Sequence, residues 1–210
     1  MGVAERRARE KQQRRDEILD AAKKIFSAKG FHGATIEEIA GEAELSPATL
    51  YLYFSNKNEL YTSLNVRMLA CLCRRVEQVA GEKGVEPIEK VRRLASAMYD
   101  VYAYDPINLI NVLHMQASQD LAELSPELQE QINHMATRAL RTIASIFSEG
   151  MDSGQFRRQP PMALADTTWA VFSGLVLWEE SKRVFAPRKD FLKNTLELAI
   201  DNLARGISQR

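Results

Sequence analysis

Ser46 and Pro47 open a short stretch that stands out for what its side chains can touch. Ser46 is where a helix N-cap is needed, and Pro47 takes the first helical position, where its missing N–H costs nothing. Leu50, Tyr53 and Phe54 form an inward side, leaving Pro47, Ala48, Thr49 and Tyr51 available to face outward. Small and hydroxyl-bearing side chains at the start of an exposed helix suit entry into a DNA major groove. The plainer reading of the same spacing is an ordinary helical hairpin. The rest of the chain offers little reactive chemistry. It has no Ser/His/Asp cluster, no metal-ligand spacing and no phosphate-binding glycine loop, so neither an enzyme nor a metal or cofactor is expected. The three histidines are scattered. Cys71 and Cys73 lie two apart in a helical stretch and point in different directions, which reads as buried or half-buried thiols.

Helices on both sides must hold that stretch. Ahead of it, Ile36, Ile39, Ala40 and Ala43 repeat at helical spacing behind Thr35 as N-cap. Ala40 is small where a second helix crosses, and Glu44-Leu45 is the turn. Residues 3–29 predict one helix, charged at first and amphipathic from Ile18; Ile18, Ala22, Ile25 and Phe26 form the stripe that packs on residues 35–60. Lys29-Gly30 ends it. Its basic first half has no apolar face, so fraying is expected there. That half reads either as a solvated tail or as an arm for DNA phosphates or an adjacent minor groove. After the stretch, Ser55 or Asn56 caps a long helix whose buried side is Leu60, Leu64, Met68, Leu72, Val76 and Val79. It ends at Gly81-Glu82-Lys83-Gly84.

Everything after Pro87 is helical in pattern. Residues 87–104 carry Ile88, Val91, Leu94, Ala95, Met98, Val101 and Tyr102, and Asp105-Pro106 breaks that helix. Residues 107–121 are mostly apolar. Ser125-Pro126 opens a helix that Gly154 stops, Pro160-Pro161 opens the next to about Arg183, and Pro187 opens the last. No segment shows strand alternation with hairpin turns. The expected fold is all-α with about nine helices. Residues 1–55 make a three-helix helix-turn-helix domain with a basic extension at 1–15, and residues 56–210 make a second helical domain.

Composition is that of a globular protein, with 45% hydrophobic and 27% charged residues and a formal net charge of zero. Charge is uneven: residues 1–15 hold Arg6, Arg7, Arg9, Lys11, Arg14 and Arg15 against Glu5 and Glu10, a balance of +4. The opening has no apolar run of the signal-peptide kind, and no stretch has the length of a membrane span, so no membrane partner and a cytoplasmic location are expected. Residues 163–178 are apolar nearly all round, which one inward face does not explain. Trp169, Phe172 and Val176 can line a core. Ser173 and Gly174 permit close approach of another helix, and with Leu177 and the stripe Leu192, Leu196, Ala199 and Leu203 they suit a four-helix interface with a second copy. A buried hairpin within one chain is the alternative.

The order Thr35-Ile36, Ile39-Ala40, Ala43, Leu45-Ser46, Thr49-Leu50-Tyr51-Leu52-Tyr53-Phe54, Lys57 and Leu60 closely resembles the helix-turn-helix signature of the TetR family of bacterial transcriptional regulators. With the first helix, the motif covers about a quarter of the chain. The remainder resembles the family in helix count, length and its two-helix ending. The resemblance implies a homodimeric repressor that binds a double-stranded DNA operator and is released by a small molecule held in residues 56–210. Carried over, Thr35, Thr49, Tyr51, Tyr53 and Lys57 match positions that touch phosphates, and Pro47 and Ala48 match positions near base edges. Hydroxyls and a lysine suit phosphate oxygens. The plainer roles are helix support for Thr49, core for Tyr53 and ordinary surface for Lys57. Two departures stand out: many members carry Gly where this chain has Glu44 and where it has Ala48. A non-Gly residue at positive φ costs about 1 kcal/mol, so either Glu44 accepts that strain or the turn differs.

Met98, Tyr102, Leu109, Leu113, His114, Phe147, Met151, Trp169 and Phe172 are candidates to line an effector cavity, with His114 as a polar handle. Aromatics and methionines favour an apolar or aromatic ligand. The same residues also describe a plain core. A helical protein-interaction or architectural module without ligand control is the competing function.

Overall fold

The computed structural model describes residues 2–117, 125–183 and 191–209. Among these it contains nine α-helices: α1 (Val3–Gly33), α2 (Ile36–Glu42), α3 (Pro47–Tyr51), α4 (Lys57–Ala80), α5 (Pro87–Tyr104), α6 (Pro106–Ala117), α7 (Pro126–Asp152), α8 (Pro161–Arg183) and α9 (Leu192–Ile207). An isolated antiparallel bridge joins Phe156 and Ser208. No described helix is long and apolar enough to cross a membrane. The expected all-α fold is present. Pro187 as the start of the last helix, and the end of the 107–121 helix, lie outside the described residues.

Contacts divide the chain into two compact units, Met1–Arg67 and Met68–Arg210. In the first, Ile18, Leu19, Ala22 and Phe26 of α1 pack with Ile36, Ile39 and Ala40 of α2, Leu50 of α3, and Phe54, Leu60 and Leu64. Ile25, expected in the α1 stripe, is only partly buried. α1 continues past the expected stop. Gly30 has φ 70, a left-handed conformation that needs no Cβ, and the chain kinks there and makes one more turn to Gly33. The basic first half, where fraying is expected from sequence, is helical, with Arg6–Glu10 and Arg14–Glu17 ion pairs one turn apart.

In the second unit, the rest of α4 shares a core with α5 to α9, and α5 lies between α9 and α7. Two features fix this packing. Lys90, 4% exposed, donates from Nζ to the Ala80 carbonyl at 3.1 Å and to both Glu149 carboxylate oxygens at 2.9 and 3.0 Å. It thereby ties the last turn of α4 to α5 and α7. Gly150 in α7 lies against the buried Phe156 ring, where an added Cβ would sit 2.1 Å from Phe156 Cδ2. Asp105 does more than break α5: its carboxylate accepts the Asn108 N–H at 3.2 Å and so starts α6.

Candidate nucleic-acid interface

α2 begins with a reciprocal cap. Thr35 Oγ1 accepts the Glu38 N–H at 3.2 Å, and Glu38 accepts the Thr35 N–H at 3.2 Å. Lys29 donates to the same carboxylate at 2.5 Å. The Lys29 hydrogen bond, with that from the Thr35 backbone, holds Glu38 below the usual carboxylate range. Glu42 is paired with Lys24 at 2.8 Å, and that contact pushes the Lys24 ammonium up. Of the four acidic residues in this segment, Glu37, Glu38, Glu42 and Glu44, two are therefore matched by lysines of α1.

The turn into α3 resolves the choice left open at Glu44. Its φ is 55, so this glutamate takes the left-handed position itself, at a cost of about 1 kcal/mol. Leu45 N–H donates to the Ala40 carbonyl at 2.8 Å to close the turn. Ser46 then caps α3: its Oγ accepts the Thr49 N–H at 3.1 Å and lies 2.9 Å from Thr49 Oγ1. Thr49 is half-buried and its hydroxyl faces the cap, which is the supporting role weighed above. Leu50 is fully buried, and this one anchor turns Pro47, Ala48 and Tyr51 outward, with Tyr51 51% exposed. Thr35 is exposed and Tyr53 half-buried.

Lys57 has a duty that sequence did not indicate. Its Nζ donates to the Phe31 and Ala34 carbonyls at 2.8 and 3.0 Å and sits 4.5 Å from the Phe31 ring centroid. Two of its three donors therefore close the α1–α2 connection. Asn56 is the cap of α4, since its side chain accepts the Glu59 N–H at 2.8 Å. Sequence reasoning also missed Arg15 and Leu52. Arg15 donates to the Tyr53 carbonyl at 2.5 Å and stacks 4.2 Å over Phe54, holding α1 to the end of α3. Leu52 is an apolar side chain 77% exposed directly after α3. Spacing in the sequence assigns Leu52 to neither face, and it sits at the C-cap of α3.

The effector candidates fare unevenly. Met98, Tyr102, Leu109, Leu113, Phe147, Met151 and Phe172 are all buried in one core. Trp169 is partly buried and lines an apolar cavity of about 40 Å³ with Leu69, Leu72, Ala136, Ala139, Leu140 and Ile143, enough for about one water. His114 is exposed on α6, so it is not the polar handle of that interior. One polar group found there is the buried Tyr102 hydroxyl, which accepts from Arg183 at 2.5 Å.

The dimer candidates also divide. Leu192 and Leu196 are fully buried in this chain's own core, because the apolar stripe of α9 faces α5. They therefore offer no surface to a second copy. Ser173, Leu177, Ala199 and Leu203 are partly exposed, and Gly174 is exposed with open space where a Cβ would sit. Trp178 and Leu198, not singled out from sequence, are 62% and 61% exposed.

Residues 18–64, which build this motif, match the model of the tetR family of bacterial regulatory proteins. The chain is 30% identical over 159 residues to the HTH-type transcriptional repressor NicS of Pseudomonas putida, covering 72% of this chain and 69% of that one. It is 29% identical over 149 residues to the fatty acid metabolism regulator protein of Bacillus subtilis, covering 71% and 74%. The solved structure of the transcriptional regulator FadR from Bacillus subtilis in complex with stearoyl-CoA shares the fold, with a TM-score of 0.69 at 24% identity over 91% of this chain and 98% of that one. The chain belongs to the tetR family of bacterial regulatory proteins.

Proposed function

We propose that this protein is a homodimeric DNA-binding repressor released from its operator by a small apolar or aromatic ligand. The observation that carries the reading is the outward set Pro47, Ala48 and Tyr51 on a capped helix anchored by buried Leu50. Residues 1–55 are the reading head and residues 56–210 the ligand-binding and dimerisation part. Pro47 and Ala48 meet base edges, with the Ala48 methyl suited to a thymine methyl. Thr35 and Tyr51 meet phosphate. Lys57 lends its charge from a position fixed by two carbonyls, while Thr49 and Tyr53 hold the geometry.

Two copies place two such heads on half-sites about 34–36 Å apart. Ser173, Gly174, Leu177, Ala199 and Leu203, joined by Trp178 and Leu198, supply the face between them. A ligand that favours one arrangement of α4 over another changes that spacing. The apolar interior around Met98, Phe147 and Phe172 suits a hydrocarbon chain, and the stearoyl-CoA held by FadR supports that class. Arg183 on the Tyr102 hydroxyl is the polar end such a chain would meet.

A mobility-shift titration on the DNA upstream of the protein's own coding region, at fixed salt, tests the reading. Preferential binding that stearoyl-CoA weakens is expected. Binding no tighter than to random DNA overturns it.

A further inference from the structure

We infer that the first turns of α1 form a second DNA-contacting surface, a cationic arm that grips the phosphate backbone beside the segment read by α3. This rests on the DNA-reading function above and extends its footprint. Residues 4–14 are exposed throughout, and the core begins only at Ile18, so α1 runs ~16 Å beyond its packing as far as Arg7. A helix that buries nothing there gains little from being folded. It nonetheless carries a +4 balance over residues 1–15.

Direction is given by contacts within the first compact unit. Arg7, Lys11 and Arg14 lie one above another at one-turn spacing, and with Glu10 they line an open cleft whose other side is Leu52 and Tyr53. Arg15 fixes that alignment through the Tyr53 carbonyl and the Phe54 ring. The cationic row therefore stands beside the end of α3. Glu10, the acid in the cleft, is offset by Arg6 at 2.9 Å, and Arg14 is shared with Glu17 at 2.7 Å. Arg7 and Lys11 have no ion-pair partner among the described residues, so their charge is available to a polyanion. Exposed Leu52 borders them with an apolar surface suited to deoxyribose. Charge complementarity with duplex DNA names the occupant, and phosphate oxygens are the natural partners of this cationic row.

The test is the salt dependence of binding by the full chain to its upstream duplex, wild type against Arg7→Gln/Lys11→Gln. Gln keeps helix propensity, and both sites are exposed, so the melting midpoint should hold. Loss of two phosphate contacts makes the slope of log K against log salt shallower by ~1.8, with affinity lower by about 60-fold at 0.1 M salt. The charge-preserving Arg7→Lys/Lys11→Arg variant should restore both. An unchanged slope in the Gln variant, with wild type still binding, overturns the arm and leaves the reading head standing. A wild type that binds no duplex overturns both.

Discussion

The two compact units use their side chains in opposite ways. In Met1–Arg67, a small core of aliphatic residues and two phenylalanines is enough to fix polar and small groups on the outside, and capping does much of the positioning. Thr35, Ser46 and Asn56 each accept a backbone N–H at a helix start, and Arg15 and Lys57 each donate to backbone carbonyls. In Met68–Arg210 Met68, Met98, Tyr102, Phe147, Met151, Phe156 and Phe172 turn inward while Tyr104, Met162, Trp178 and Phe191 stay exposed, and a buried lysine and a glycine pressed against a phenylalanine fix the packing. Function in the first unit lies in what faces out. In the second, on the function proposed above, it lies in what the interior can open to admit.

The largest effects should separate the units. Phe54→Ala removes a fully packed ring from the small core and costs about 3–5 kcal/mol. DNA binding should be lost while most of the far-UV helical signal persists; loss of both together would break the division. Gly150→Ala forces a methyl into the Phe156 ring and should cost about 2–3 kcal/mol in a urea titration, without changing the salt slope of DNA binding in the folded protein. Lys90→Ala leaves the Ala80 carbonyl and Glu149 without their donor. Because Glu149 is itself 46% exposed, a loss of about 2 kcal/mol is expected, below the range for a fully buried pair.

Lys57→Ala should cost about 1–2 kcal/mol, from two carbonyls losing one donor. If Lys57 also meets phosphate, the salt slope becomes shallower by ~1, and an unchanged slope would reduce it to a purely structural residue. The smallest change has the opposite sign. Glu44→Gly relieves the left-handed position and should raise stability by up to about 1 kcal/mol, read as an upward shift of the thermal midpoint.

The same contrast explains what sequence could reveal. The reading head depends on short-range spacing: Ser46 before Pro47, Thr35 three residues before Glu38, and Leu50 one helical turn before Phe54 are all local, and their roles follow from type and offset. Lys57 and Arg15 escaped because their partners, Phe31, Ala34 and Tyr53, are 23 to 38 residues away. In the second unit, periodicity shows that α9 has an apolar stripe but not which neighbour it faces. Leu192 and Leu196 were therefore assigned outward although they point at α5, while Leu198, outside that stripe, is exposed. His114 failed for a related reason, since a polar residue in an apolar helix carries no sign of which face it occupies.

The central claim is that the exposed start of α3 reads DNA. Fluorescence anisotropy on a labelled upstream duplex and on a scrambled duplex of equal length, at one salt concentration, tests it most directly. Wild type should prefer the upstream duplex by ~10³-fold or more. Tyr51→Ala, at a half-exposed position, should weaken that binding by about tenfold with an unchanged unfolding midpoint. Equal affinity for the two duplexes would contradict the account.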